Sequence, residues 1–272
     1  EVTFQVHPQE PWTDLLADAL GSIGFESFMQ QDDFFLAYIQ KKDFDEEALK
    51  NVWVMHEEGV QVLYKLDTVP NENWNKKWEE NFHPVKVDDR CLIRATFHES
   101  EPVDYEIVID PKMAFGTGHH DSTFLMVRAM MEVDFSGKRV LDMGSGTGVL
   151  AILAKMRDAG YTKAVDHNDW AYESTHENVK SNGYPGIEVV LGDIDSLQDD
   201  SYDVVLANIN RNIVIDQMPV YAKLLPNTGL LLTSGFFEHD APLIKDAARE
   251  QGFSLLRENY RNDWAQLIFE KM

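Results

Sequence analysis

Apolar and polar positions follow two successive patterns along this chain. In the first, Val2-Thr3-Phe4-Gln5-Val6 alternates with the period of a half-buried strand, and Trp12, Leu15, Leu16, Ala19 and Leu20 recur at helical spacing until Gly21. Phe25 to Met29 and Phe34 to Ile39 read as two strands joined by the polar turn Gln30-Gln31-Asp32-Asp33. Asp45 to Val54 reads as a second helix and Val60 to Leu66 as a last strand. The order β-α-β-β-α-β over residues 1–66 predicts a small ferredoxin-like α+β domain. With no evident catalytic cluster there, recruitment or a structural role is expected of it rather than chemistry.

Residues 67–86 read as a linker. Trp74 and Trp78 share a face if Glu72 to Asn81 is helical, and Phe82-His83-Pro84 follows. The pair suits either a small linker core or an aromatic contact for a substrate. From residue 87 to 272 the pattern lengthens into a second, α/β domain. Strands Cys91–Ala95 and Tyr105–Ile109 precede a loop from Asp110 to Thr123 and a helix through Met131. Further on come a helix over Trp170 to Asn182, strands over Ile187 to Leu191 and Tyr202 to Ala207, and a helix over Val214 to Leu225. A strand over Leu230 to Ser234, a helix over Ala241 to Glu250, and strands over Phe253 to Glu258 and Trp264 to Phe269 finish the chain. No crossover helix fits between the last two strands, so an antiparallel hairpin is expected at the edge of an otherwise parallel sheet. That is a seven-stranded, Rossmann-like layout.

Its centre is the unit Arg139-Val140-Leu141-Asp142-Met143-Gly144-Ser145-Gly146-Thr147-Gly148, continued by a helix and by a strand ending at Asp166. Glycines serve a turn that needs positive φ, and they let backbone approach a ligand. A dinucleotide fingerprint reads G-x-G-x-x-G and sets its pyrophosphate on the helix N-terminus; here the third glycine comes one residue early, which suits a ligand without phosphate. Asp166 stands where a carboxylate accepts hydrogen bonds from ribose hydroxyls. Glycine turn and acid together are how S-adenosylmethionine-dependent methyltransferases look; an NAD site and an empty structural turn are the alternatives.

Composition narrows the partners. Against 47 Asp and Glu stand 24 Lys and Arg, a formal charge of −23 in 272 residues, which disfavours phosphate backbones and favours cationic partners or simply solubility. Cys91 is the only cysteine and sits in an apolar run, so it reads as a buried strand residue and no internal disulfide is possible. No apolar run reaches the roughly 18 residues of a membrane helix and no signal pattern opens the chain, so no membrane association and a cytoplasmic location are expected.

Ligands of open α/β sheets sit beyond the carboxyl ends of the strands, where Gly144, Gly146, Asp166, Asp193 and Asn208 are expected. Asp193 suits either a hydrogen bond to an adenine amino group or a turn cap, and Asn208 either aims an amine acceptor or fixes a turn. The loop Phe115-Gly116-Thr117-Gly118 offers backbone N–H groups, and with it the hydroxyl of Thr117 or Thr123, to a methionyl carboxylate. Adjacent His119 and His120 point in different directions and no carboxylate or cysteine spacing completes a site, so a metal is not expected.

Taken together, Ala114-Phe115-Gly116-Thr117-Gly118, Asp142-Met143-Gly144-Ser145-Gly146-Thr147-Gly148, Ala207-Asn208-Ile209 and the Trp74 to Pro84 linker resemble the bacterial ribosomal protein L11 methyltransferases, over about residue 70 to the end of the chain. The resemblance implies S-adenosyl-L-methionine as cofactor and methylation of lysine ε-amines and the N-terminal α-amine on a basic large-subunit ribosomal protein, which the leading domain recruits. It carries the family's cofactor positions to Thr123, Gly144, Asp166 and Asn208. His119, Asp121 and Ser122 depart from the family's G-T-G-T-H-P-T-T pattern, Ser145 stands where cysteine is common, and Asn210 replaces a leucine. Two rivals remain on this reading, an NAD-dependent oxidoreductase on the same fold and a non-catalytic acidic adaptor for basic ribosomal proteins.

Overall fold

The computed structural model describes residues 1–31, 34–67, 82–110, 115–197 and 200–272, and it divides into two units, Glu1–Trp78 and Glu79–Met272. The tryptophan pair at Trp74 and Trp78, the tip of the Asp32-Asp33 turn and the Pro111–Ala114 part of the loop lie outside the described residues.

In the first unit, β1 (Val2–His7) buries Val2, Phe4 and Val6 and turns Gln5 and His7 to solvent. This is the alternation a one-sided sheet requires. The elements α1 (Trp12–Gly21), β2 (Ser27–Gln31), β3 (Phe34–Tyr38), α2 (Glu46–Lys50) and β4 (Gln61–Leu66) follow, and the strands pair antiparallel in the order β2-β3-β1-β4. Leu16, Leu20 and Leu49 from the helices close the core over Phe4, Val6 and Ala37. The second helix is shorter than its apolar spacing predicts. Asp45 caps it by accepting the N–H groups of Glu47 and Ala48, it ends at Lys50, and Trp53–His56 continues as a separate 3-10 turn.

The second unit opens with a three-stranded sheet, β5 (Val85–Val87), β6 (Cys91–Arg94) and β7 (Tyr105–Val108). The main sheet takes β8 (Arg139–Met143), β9 (Tyr161–Asp166), β10 (Glu188–Leu191), β11 (Val204–Asn208), β12 (Leu230–Phe237), β13 (Phe253–Arg261) and β14 (Trp264–Lys271) in the order β10-β9-β8-β11-β12-β14-β13. Pairing is parallel from β10 through β12 and antiparallel at β14 and β13. The helices are α3 (Asp121–Met130), α4 (Val149–Met156), α5 (Asp169–Ser181), α6 (Arg211–Leu224) and α7 (Ala241–Glu250).

Alternation along the strands sorts two cores. Val140, Leu206, Leu232 and Ile268 pack with Met126, Val127 and Ile152 on the face covered by α3, α4 and α5, while Leu141, Val205, Leu231 and Leu267 pack with Met218, Tyr221 and Ile244 on the face of α6 and α7. A sheet covered on both faces explains why its strands read as near-continuous apolar runs.

Two strands run three residues past their expected ends. Strand β12 continues to Phe237 instead of stopping at Ser234, because a register shift between Thr233 and Phe236 absorbs Gly235 as a bulge. Strand β13 continues to Arg261 through a polar stretch, because it is the outer strand of the hairpin and one side of it faces water. Gly235 has φ +92°, and a Cβ there would meet the backbone of Ile209, its carbonyl carbon at 2.8 Å. Replacing Gly235 by Ala is therefore expected to lower the unfolding free energy by roughly 1–3 kcal/mol. Urea titration measures this, and a variant as stable as the parent would show that the bulge does not restrain Ile209.

Candidate active site at the carboxyl edge of the sheet

The chain runs from β8 through β9 to β10 on one side and from β11 to β12 on the other, so strand order reverses between β8 and β11. Such a switch point leaves a crevice beyond the carboxyl ends of the strands. Met143 pairs with Val165 on one side and Ala207 on the other, Leu191 pairs with Asp166, and Asn208 pairs with Ser234. Gly144, the next residue, thus emerges between Asp166 and Asn208.

The turn after β8 is built from Gly144, Gly146 and Gly148, with φ of +75°, +57° and +78°. The N–H groups of Gly144 and Ser145 donate to the Val165 carbonyl at 2.8 and 3.1 Å, and that of Gly146 donates to Asp166 Oδ2 at 3.0 Å. Asp166 Oδ1 accepts the N–H of Asn168 at 3.0 Å, so this buried carboxylate ties the turn to the end of β9. Each of its oxygens still has a second lone-pair site. Glycine is expected here both for positive φ and to leave the side-chain directions open to a ligand. In the structure, protein fills those directions: the Ile209 side chain beside Gly144, the Phe115 carbonyl beside Gly146, and Thr175 Cγ2 at 2.8 Å from a Cβ on Gly148. Close packing already demands glycine at all three positions.

Asp142, fully buried at the end of β8, accepts the N–H of Ala151 on Oδ2 at 3.1 Å and so satisfies one of the open donors in the first turn of α4. Its Oδ1 has no partner among the described residues. Burial pushes the Asp142 carboxyl up to about 7; the Ala151 N–H pulls the other way and the nearby Asp166 charge adds to the rise.

Asn208 ends β11 with its side chain half-buried. Its Nδ2 donates to the Thr123 hydroxyl at 3.2 Å, and its Oδ1 is buried without a partner among the described residues. The bond to Thr123, buried in the first turn of α3, fixes the orientation of the amide. Above the turn, Thr147 N–H donates to the Phe115 carbonyl at 2.9 Å and the Thr147 hydroxyl to the Gly116 carbonyl at 2.7 Å. Phe115 and Gly116 are therefore held directly over the glycine turn. Asn178 on α5 accepts Asp110 N–H at 2.9 Å and donates to the Thr147 carbonyl at 3.0 Å, which anchors the start of the same loop.

His120 caps α3: its Nδ1 accepts the N–H of Ser122 at 3.2 Å and lies 2.7 Å from the Ser122 hydroxyl. Burial holds its pKa below the usual histidine value, against the pull of Asp121, and protonation would remove the acceptor that caps the helix. The His120 ring lies 5.0 Å from Phe115 and 4.2 Å from Trp264, and Trp264 lies 4.4 Å from Phe237. These rings form an aromatic wall at the start of α3, with Phe115 and Phe237 partly exposed.

Two expected contacts have other local partners. The Thr117 hydroxyl pairs with His119 Nδ1 at 3.1 Å, whose Nε2 is 2.8 Å from the His83 carbonyl, so Thr117 and His119 brace the loop. Asp193 accepts Asp195 N–H on its side chain at 3.1 Å and opens the 3-10 turn Ile194–Leu197 after β10. Sequence reasoning missed the buried polar face of α5. Ser174, Thr175 and Asn178 pack against the turn, with the Thr175 hydroxyl donating to the Gly146 carbonyl at 2.9 Å. Three polar residues at i, i+1 and i+4 between buried Ala171 and Val179 were the available signal.

Known proteins resemble the chain over nearly its whole length. The family model for ribosomal protein L11 methyltransferase (PrmA) matches residues 20–272. A protein of Phocaeicola vulgatus named ribosomal protein L11 methyltransferase is 41% identical over 99% of this chain and 98% of its own length, and one of Porphyromonas gingivalis with the same name is 42% identical over 94% and 90%. A crystal structure described as a ribosomal protein L11 methylase from Lactobacillus delbrueckii subsp. bulgaricus superposes with a TM-score of 0.66 at 26% identity, covering 70% of this chain and all of that one. A methyltransferase from Pyrococcus furiosus shares the fold at a TM-score of 0.51 and 16% identity.

Asp142 provides a pH test of this geometry. Its folded pKa, about 7, stands above its ordinary 3.8, so the stability it contributes is full below about pH 4 and is lost as pH rises to about 7. Across that window Asp142→Asn, which keeps an acceptor for Ala151, is expected to gain stability relative to the parent. Urea unfolding of both proteins at intervals between pH 4 and 8 reads the difference; parallel pH profiles would mean that the carboxyl is ionised in the fold.

Proposed function

The chain belongs to the ribosomal protein L11 methyltransferase family, and from that premise we propose that it transfers methyl groups from S-adenosyl-L-methionine to amino groups of ribosomal protein L11, lysine ε-amines and the N-terminal α-amine. The match over residues 20–272 favours this reading over an NAD-dependent oxidoreductase and over a non-catalytic adaptor. We read residues 87–272 as a seven-stranded, Rossmann-like catalytic domain, 67–86 as a linker and 1–66 as a ferredoxin-like domain that recruits the substrate. The strand orders β10-β9-β8-β11-β12-β14-β13 and β2-β3-β1-β4 support that division, as does the boundary between units at Trp78. A groove of about 610 Å³ along β1 and β4, lined by Gln5, His7, Pro8, Gln61 and Leu63, offers the leading domain a recognition surface. The charge of −23 attracts a basic substrate. No helix among the described residues is long and apolar enough to cross a membrane, and a ribosomal substrate fits a cytoplasmic location.

Asn208 Oδ1 is the observation that carries the chemical reading. It is a buried acceptor with no donor among the described residues, held by Thr123 at the switch point beside the glycine turn. A lysine ammonium, with a reference pKa of about 10.4, must surrender a proton to solvent before its nitrogen can attack. Asn208 Oδ1 then accepts an N–H of the neutral amine and turns its lone pair toward the crevice. When bound, the cofactor supplies a methyl group on a positively charged sulfonium. The residues suited to hold it are Gly144 and Gly146 at the turn, Asp166 at the ribose hydroxyls and Asp193 at the adenine. Thr123, Thr117 and the backbone of Phe115 and Gly116 suit its carboxylate. The rings of Phe115, His120, Phe237 and Trp264 flank the apolar stem of the incoming lysine and exclude water from the amine.

Asn208→Ala is expected to lower kcat roughly a hundredfold, about 2.7 kcal/mol, while affinity for S-adenosylhomocysteine changes less. Thr123→Val, which removes the bond that orients the amide, should shift kcat in the same direction. Radiolabelled methyl transfer to ribosomal protein L11, paired with calorimetry, measures both; full turnover by Asn208→Ala with intact cofactor binding would overturn the assignment.

A further inference from the structure

We propose that Asp121 is a positioning residue for the substrate side of this site and that it acts through the turn between β13 and β14; the proposal rests on the methyl-transfer reading above. Asp121 opens α3, one residue after His120. Its Oδ1 accepts Arg261 Nε at 2.6 Å and its Oδ2 accepts Asn262 Nδ2 at 3.2 Å. The Arg261 guanidinium also lies over the Phe124 ring, 3.6 Å from its centroid, so it spans one turn of the α3 surface.

Arg261 and Asn262 belong to a two-residue hairpin turn. Arg261 pairs with Trp264, and Asn262 and Asp263 between them have φ of +44° and +67°, the left-handed pair a tight hairpin of this hand requires. The N–H of Glu238, just beyond β12, donates to the Asp263 carbonyl at 2.7 Å. The turn is thus gripped from two sides, by the start of α3 and by the end of β12.

Trp264 is the first residue after the turn, and its ring meets His120 and Phe237. Asp121 and His120 are adjacent on α3, while Arg261 and Trp264 are register partners on the hairpin. The ion pair therefore fixes the spacing of the two elements that carry His120 and Trp264, the middle pair of the wall. Without it, the hairpin keeps the Glu238 bond and its packing against α3, but the side-chain tie to the first residue of the helix is lost and the gap between Trp264 and His120 is set less tightly. The Asp121 and Arg261 side chains are 23% and 42% exposed, which makes the pair worth a few-fold effect rather than a total loss.

The test compares the parent with Asp121→Ala, Arg261→Ala, the double alanine variant and the charge-swapped pair Asp121→Arg with Arg261→Asp. KM and kcat for methyl transfer to the ribosomal protein, calorimetric affinity for S-adenosylhomocysteine, and amide hydrogen exchange over residues 259–266 are read for each. Each single variant is expected to raise KM about fivefold with cofactor affinity unchanged and with faster exchange in the hairpin. The double variant should be no worse than the poorer single one, and the swap should recover part of the loss. Unchanged hairpin exchange, or losses in the single variants that simply add in the double, would overturn the proposal. A parent protein that transfers no methyl group at all would instead remove the functional reading, and this role with it.

Discussion

Ile209 is wedged between two glycines, and the candidate site depends on that wedge. Its side chain fills the space beside Gly144, and its backbone runs against Gly235 in the β12 bulge. A Cβ on either glycine would push the segment after β11 out of line, and Asn208 is the residue immediately before Ile209. Phe115 over Gly146 and Thr175 beside Gly148 repeat the arrangement across the rest of the turn. Steric exclusion at these positions sets where the polar groups of the site stand; the hydrogen bonds then choose their orientations.

Those hydrogen bonds form a shared frame around the turn. Thr147 carries Phe115 and Gly116, Thr175 carries Gly146, Asn178 joins Asp110 to Thr147, and Asp166 joins Gly146 to Asn168. Buried polar groups tied this way resist rearrangement, because freeing any one of them strands a donor or acceptor out of reach of water. Against that background the acceptors on Asn208 and Asp142, without a partner among the described residues, are points of the frame that could take a further hydrogen bond.

The strand-turn-helix-strand centre was legible because each part has a strong local cause: continuous apolar strands, glycines at positive φ, and a helix whose first six residues are all apolar and buried. The hairpin at the end of the chain was legible from the short interval between its strands, but its extent was not. Asn259, Tyr260 and Arg261 look like loop residues, yet they pair as an outer strand because Asn262 and Asp263 accept the left-handed turn. Nor did Gly235 look like part of a strand, since a bulge is a tertiary event with no periodicity of its own. The polar side of α5 was hidden for the opposite reason. Ser174, Thr175 and Asn178 are residue types common on solvated faces, and only the fold reveals that backbone carbonyls and N–H groups wait there to be satisfied. His119 and His120 look alike as neighbours in sequence, but one braces a loop and the other caps a helix.

The start of α4 differs from those of α3, α5 and α6, whose caps come from His120, Asn168 and Asn210 in the residue just before each helix. Here Gly148 offers no side chain, and the cap is Asp142, reached from the strand beneath. In folds that seat a dinucleotide, the amino end of this helix is where the pyrophosphate docks. A carboxyl group already claims one of those amides, so an anion arriving there meets competition for its donor and, above neutral pH, a like charge. A carboxyl on the strand beneath the helix would thereby weigh against nucleotides that carry phosphate.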